Sequence, residues 1–294
     1  MDIDAFWIIL SGSLVATTCS LLGCFLVLRK MAMVADAISH SILPGIVIAF
    51  FLTGSRDSMP MLIGAGILGL ITTVLIEFLH RVAKVQSDAA IGITFTSLFA
   101  IGVILIALFA DQVDLDQDCV LYGEIAYVPL DTIITEAGTD LGPRVVWIAG
   151  GVLLMVLVFI LIFYKELLIT SFDPAFAAVT GLSTATWHYA LMSLVSLTTV
   201  ASFEAVGAIL VVALMIAPPA TAYLLTKKLT VMLFLSVLLG IIASVGGYYL
   251  AEWLDASIAG AMTMVAGGLF LLALLFGPEE GIWLKRRLRP KINA

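Results

Sequence analysis

Charge is scarce in this chain. Only 12% of its 294 residues are Asp, Glu, Lys or Arg, about half of what a soluble domain usually carries. With 62% hydrophobic residues and a mean hydropathy of +1.17, no water-soluble fold of this length could cover its own apolar surface. That excludes a soluble enzyme or binding domain. It also leaves no room for a second, soluble domain, because apolar runs of about 20 residues, enough to cross a bilayer core as helices, recur along almost the whole sequence. Cysteine is equally thin. Cys19 and Cys24 sit in the first apolar run and Cys119 is alone in a polar segment, so there is no disulfide framework. The phosphate loop G-x-x-x-x-G-K-[ST], the G-x-S-x-G elbow, the H-E-x-x-H pair and the C-x-x-C pair are all missing. Nothing here supports ATP hydrolysis by that route, or any other enzymatic reading.

The sequence does hold spans. Apolar runs and their breaks predict nine: about 5–28, 32–52, 60–79, 89–110, 144–164, 187–203, 205–225, 230–251 and 257–277. The division at 203–205 is the narrowest, and merging it would leave eight. With alternating sidedness, Arg29, Lys30, Arg81, Lys84, Lys165, Lys227, Lys228 and the tail residues Lys285, Arg286, Arg287, Arg289 and Lys291 fall on one face, 12 of the 14 basic residues. The positive-inside rule makes that face cytoplasmic, with the N-terminus outside and the C-terminus inside. Leu21-Leu22-Gly23-Cys24 looks like a lipoprotein processing site, but Asp2 and Asp4 precede the run and Arg29 and Lys30 follow it, the reverse of a signal peptide.

Two connections carry information. The outer segment Asp111–Pro143 holds eight acids, Asp111, Asp114, Asp116, Asp118, Glu124, Asp131, Glu136 and Asp140, and no basic residue. Such a field gathers cations at the outer mouth, although acidic outer loops also arise merely from keeping positive charge inside. On the cytoplasmic side, a segment of about 171–183 reads as a short capped helix. Asp173 suits the N-cap, Pro174 the first helical position and Gly181 the left-handed residue after the end. Such a helix, rich in Ala and Phe, is shaped for a groove in another protein, or is a plain interfacial loop. The tail 285–294 reads as a basic cytoplasmic anchor.

Ionisable groups inside spans cost at least about 2.5–3.5 kcal/mol at mid-helix and ask for a reason. Asp36 and His40, four apart in the second span, stack on one helical face. A carboxylate oxygen and a neutral imidazole nitrogen suit a borderline divalent ion such as Zn2+, Mn2+ or Fe2+. Two ligands per chain hold it weakly, as a transport path requires. The alternative is an internal hydrogen bond between two buried groups, which Ser39 and Ser41 could join. Pro44 and Gly45 could bend the helix and free carbonyls beside the pair. Glu77, beside His80 and Arg81, reads as a carboxylate snorkelling into an ion pair. Glu124 and Glu204 are secondary candidates for the cation path.

Four stretches together resemble a known family. These are Met33-Val34-Ala35-Asp36-Ala37-Ile38-Ser39-His40-Ser41-Ile42-Leu43-Pro44-Gly45, Asp88-Ala89-Ala90-Ile91-Gly92, Asp173-Pro174-Ala175-Phe176-Ala177 with Gly181, and Val206 to Leu214 with Pro218-Pro219-Ala220-Thr221-Ala222. They are similar to the membrane permeases of bacterial ATP-binding-cassette (ABC) importers for manganese, zinc and iron, the ABC-3 metal permeases. The resemblance implies an all-α polytopic membrane protein of eight to nine transmembrane helices, type II ABC importer-like, forming a single transmembrane permease domain over 1–294. It implies a transport subunit that moves Mn2+, Zn2+ or Fe2+ and holds no permanent cofactor. The implied partners are a second permease chain, identical or related, cytoplasmic ATP-binding subunits, an extracytoplasmic metal-binding protein and membrane lipid, with no nucleic acid. The implied location is the bacterial cytoplasmic (inner) membrane. Asp36 and His40 carry over as path ligands, and Asp173, Pro174, Ala175, Phe176 and Gly181 as the segment coupled to the ATPase. A secondary, ATP-independent transporter and a non-transporting scaffold or sensor are the competing classes.

Overall fold

A computed structural model describes residues 3–54, 58–109, 125–134 and 140–277. In hydrocarbon a chain must satisfy its backbone internally, and apolar runs of this length do so as helices. The helices are α1 (Ile3–Leu28), α2 (Met33–Ser41), α3 (Leu43–Thr53), α4 (Ser58–Arg81), α5 (Ser87–Phe109), α6 (Arg144–Ile162), α7 (Tyr164–Phe172), α8 (Pro174–Val179), α9 (Thr184–Leu225), α10 (Leu229–Leu254) and α11 (Ile258–Phe276). Among the described residues, eight spans are long and apolar enough to cross a membrane, with α2 and α3 together making one of them.

α1 is the hub. It packs against α6, α9 and α10, and Val15, Ala16, Cys19, Leu22, Phe25 and Leu26 are almost wholly buried. Lipid tails supply no hydrophobic drive between helices, so close backbone approach has to supply attraction instead. Small residues make it possible: a Cβ on Gly23 would lie 2.0 Å from the Met215 carbonyl oxygen of α9. Where α3 crosses α4, a Cβ on Gly45 would lie 2.5 Å from the Gly64 carbonyl, and one on Gly64 the same distance from that of Gly45. α4, α5 and α6 are far less covered by the chain itself, with 33%, 17% and 22% of their apolar windows buried; these helices form the outer faces.

The 42-residue element α9 would be about 63 Å long if straight, twice a bilayer core. It is not straight. Gly207 has φ 75° and ψ 164°, which breaks the element into two helices. Its far end, at Tyr223, Thr226 and Lys227, lines one groove with Leu28 and Phe172. Its near end also lies there, since His188 is 3.4 Å from Glu77, which Arg81 engages. Both ends therefore sit at the basic end of the bundle, and the chain reverses between them. The expected division at 203–205 exists, displaced to Gly207. The first half of α9 is a ninth crossing among the described residues. Its buried Ser196, Thr198, Thr199 and Ser202 make it more polar than the other eight.

The bend expected at Pro44 is present: α2 stops at Ser41 and α3 starts at Leu43 with Pro44 in its first turn. The described part of the outer connection has regular structure. Residues Ile125–Leu130 form a 3-10 turn, followed by the antiparallel pair β1 (Thr132–Ile134) and β2 (Asp140–Pro143). Ile125 is 1% exposed and inserts beside Gly12 of α1 and Met262 of α11. The hairpin is fixed to α6 by Arg144 N–H donating to the Asp131 carbonyl at 3.0 Å and the Trp147 indole to that of Leu141 at 3.1 Å.

The φ/ψ of Gly207 lies where side chains are excluded. Gly207→Ala is expected to cost about 1–3 kcal/mol and to lower the thermal unfolding midpoint of the detergent-solubilised protein by several degrees. Gly150→Ala, in open space on α6, should leave it unchanged or raise it slightly, as circular dichroism melting will show.

Candidate functional site

Asp36 and His40 come together as their spacing requires. His40 Nε2 lies 3.5 Å from Asp36 Oδ1, and the side chains remain 35% and 30% exposed respectively. Phe95 and Phe99 of α5 flank the imidazole, with centroids at 6.0 and 6.2 Å. The two serines do not join the pair. Ser39 donates to the Asp36 backbone carbonyl at 2.7 Å, and the Ser41 hydroxyl lies 2.7 Å from that of Thr72 on α4. Both are buried and occupied elsewhere, so the pair keeps free valence toward whatever enters from its open side.

The helix break sits directly after it. Pro44 has no N–H to give the His40 carbonyl four residues back, and α2 ends at Ser41. A helix C-terminus carries partial negative charge. Discontinuous helices of this kind are how membrane proteins bring backbone oxygens to a cation at mid-membrane depth. Among the described residues no group of three or more His, Cys, Asp or Glu is gathered to hold a metal. The local side-chain donor set is thus one carboxylate and one imidazole.

The secondary candidates give less. Glu124 lies outside the described residues, as do Cys119 and the tail 285–294. Ile125, the residue after Glu124, is buried in the bundle, so the outer segment does dip back among the helices. For Glu204 only the backbone, within α9 near the Gly207 reversal, is described.

Glu77 makes the expected ion pair with Arg81, but does so buried rather than snorkelling, at 5% exposure. One oxygen is engaged by Arg81 Nε, and the other lies 3.4 Å from His188 Nε2 on α9. The sequence reading passed over His188. Its signal was present, an imidazole one turn inside a span, but its partner stands 111 positions away and no local spacing joins them. Close by, Arg29 donates to the hydroxyls of Ser171 and Thr170 of α7, each at 3.0 Å. Burial pushes the Arg29 guanidinium down to about 10, so it stays charged at neutral pH and ties the end of α1 to the helix before α8.

α8 has the anticipated ends. Asp173 Oδ1 accepts from Phe176 N–H at 2.9 Å, and Pro174 opens the helix. Beyond Val179, Leu182 N–H donates to the Ala177 carbonyl at 3.0 Å and Gly181 N–H to that of Ala178 at 3.2 Å, with Gly181 at φ 84°. That is a Schellman ending. Ala177 is fully buried, whereas Phe176 and Val179 are 54% and 86% exposed. Leu168, Ile169, Phe172, Phe176 and Lys227 line an open groove there. The basic end of the bundle thus presents a rigid, capped helix with apolar side chains outward.

A family model described as "ABC 3 transport family" matches residues 4–277. The chain belongs to the ABC 3 transport family. Family relatives cover nearly all of it. The manganese transport system membrane protein MntD of Bacillus subtilis is 51% identical over 280 residues, 95% of this chain and 94% of that protein. The zinc transport system membrane protein TroD of Treponema pallidum is 45% identical over 275 residues, 94% and 74% of the two chains. Among solved structures, PsaBC from Streptococcus pneumoniae in complex with Fab superposes with a TM-score of 0.79 at 33% identity, covering 98% of this chain and 96% of that one. The all-α, multi-pass membrane fold expected from the residues is therefore the family's fold.

Removing the α8 cap should loosen the helix without unfolding the bundle. Asp173→Ala is expected to cost about 0.5–2 kcal/mol locally, seen as faster hydrogen exchange at the Phe176 amide while α1 and α10 amides keep their protection.

Proposed function

We propose that this chain is the membrane-spanning permease domain of an ATP-driven importer of divalent manganese or zinc, with Asp36 and His40 as the ligands that the metal meets on its way across. The observation that carries the reading is an ionisable pair in the first half of a broken span, one third exposed. Hydrocarbon cannot be what covers it, since even a single charge there costs at least about 2.5–3.5 kcal/mol. A polar path or a second permease chain has to face it. Two side-chain donors also leave a divalent ion's shell incomplete, which water or the second chain would fill. The relatives named above are manganese and zinc systems; iron has no support from them.

The basic end is the cytoplasmic face, with the C-terminus on that side of the bacterial inner membrane. There α8 docks against separate ATP-binding subunits, with Phe176 and Val179 as contacts and Asp173, Pro174, Ala175 and Gly181 holding the helix in shape. A metal-binding protein delivers the ion at the opposite face. Energy enters through α8 and the ion leaves past a weak site, so the chain itself performs no covalent chemistry. Membership of an ABC transport family favours this over an ion-driven secondary transporter, as does a capped helix with apolar side chains turned outward from the membrane domain.

In proteoliposomes holding the permease, its ATPase and its binding protein, Asp36→Ala and His40→Ala should each reduce 54Mn2+ or 65Zn2+ uptake to background while the complex still co-purifies. Uptake at the unsubstituted rate by both variants would remove the pair from the path. Uptake that persists without ATP and without the ATPase would instead establish the ion-driven reading.

A further inference from the structure

The Glu77 and His188 contact has no part in metal binding as described so far. It is a poor cation site, because Arg81 already engages the carboxylate and Arg29 stands near the imidazole. Its place in the fold is more telling. α8 runs through Gly181 into Ser183, whose hydroxyl caps α9 by accepting from Thr186 N–H at 3.3 Å. His188 follows in the next turn and meets Glu77 of α4, both side chains more than nine-tenths buried. Five residues back along α4, the Thr72 hydroxyl donates to the Leu68 carbonyl at 2.8 Å. The same hydroxyl lies 2.7 Å from that of Ser41, the residue after His40, whose oxygen is also 3.1 Å from the Ile38 carbonyl. Thr72 and Ser41 are both fully buried.

About one turn beyond the Thr72 contact the three helices have no slack. A Cβ on Gly69 of α4 would lie 2.1 Å from Ser196 Oγ of α9 and 3.3 Å from Ile38 Cγ2 of α2. Closely packed interfaces switch between discrete arrangements rather than deforming smoothly. A displacement of the start of α9 must therefore be carried by α4 and passed on to α2.

We propose that Glu77–His188 and Thr72–Ser41 are positioning contacts that carry movement of α8 to His40. This rests on the reading of α8 as the ATPase contact and of Asp36 and His40 as the metal site. None of the four residues touches the ion. They decide whether ATP turnover is converted into a change at the ligand pair.

The test uses the complete complex in proteoliposomes and reads Mn2+ taken up per ATP hydrolysed. Thr72→Val keeps the shape and removes the hydroxyl; Glu77→Gln removes the charge facing His188 while leaving Arg81 free to turn to solvent. Each is expected to keep ATP turnover within about twofold and to lower uptake per ATP by about tenfold, the scale of an ordinary coupling free energy. Contacts acting in series also make the double variant no worse than the worse single one. Thr72→Ser should restore the ratio. Should Thr72→Val fail to assemble, Ser41→Ala removes the same hydrogen bond from the other side. An unchanged ratio, a parallel fall of ATP turnover and uptake, or no recovery in Thr72→Ser would overturn the relay. Asp36→Ala run alongside separates the two ideas. If it loses uptake while Thr72→Val and Glu77→Gln keep their ratio, the relay is wrong and the metal site stands; if it transports normally, the metal site itself is wrong.

Discussion

Backbone hydrogen bonding in hydrocarbon is the constraint to which the rest of this protein answers. Each unpaired amide or carbonyl at membrane depth costs several kcal/mol, so the chain is helix wherever it crosses. Every departure from helix therefore falls where something other than lipid meets the backbone. There are two departures inside crossings among the described residues. One is the break at Ile42 and Pro44, immediately after the Asp36 and His40 pair. The other is Gly207, where α9 turns back amid buried neighbours. The first divides the second span just after two ionisable side chains, while the second lets a single element bring both of its ends to the basic face.

The same solvent logic divides the polar residues. Hydroxyls in the core mostly return to their own helix, as Thr18 does to the Leu14 carbonyl and Ser244 to that of Gly240. Those that leave their helix join elements, Ser41 to Thr72 and Ser236 to the Ser20 carbonyl. Carboxylates behave likewise. Glu77 is buried against a cation on its own helix and near an imidazole on another, whereas Asp36 has only His40 and remains partly open. That difference in exposure, rather than the presence of charge, distinguishes the two carboxylates.

Most of the architecture was legible in the sequence because its determinants are local. Apolar runs marked the spans, and the helix signals at Asp173, Pro174 and Gly181 marked α8 with the right ends, since caps depend on residues within one turn. The i, i+4 spacing of Asp36 and His40 put them together for the same reason. What stayed hidden was long-range. His188 finds Glu77 only after the bundle is assembled, and Ser41 turns to Thr72 rather than to the pair because α4 arrives beside it. The division of α9 expected at 203–205 lies a few residues early. The residue that permits the turn is Gly207, because it alone there tolerates a positive φ.

The crossing of α3 and α4 differs in kind from the one just below it. At Gly69 a serine and an isoleucine from two other helices fill the space a side chain would take, so the contact is keyed. At Gly45 and Gly64 the two backbones lie directly on one another, with the Cβ atoms of Leu68 and Ala49 packed beside them. The crossing acts as a gauge: it has no room for one added methyl group, so only glycine at both positions lets the helices meet at this separation. The stretch beyond Asp36 and His40 is accordingly held to α4 backbone on backbone, and the stretch before it through side chains.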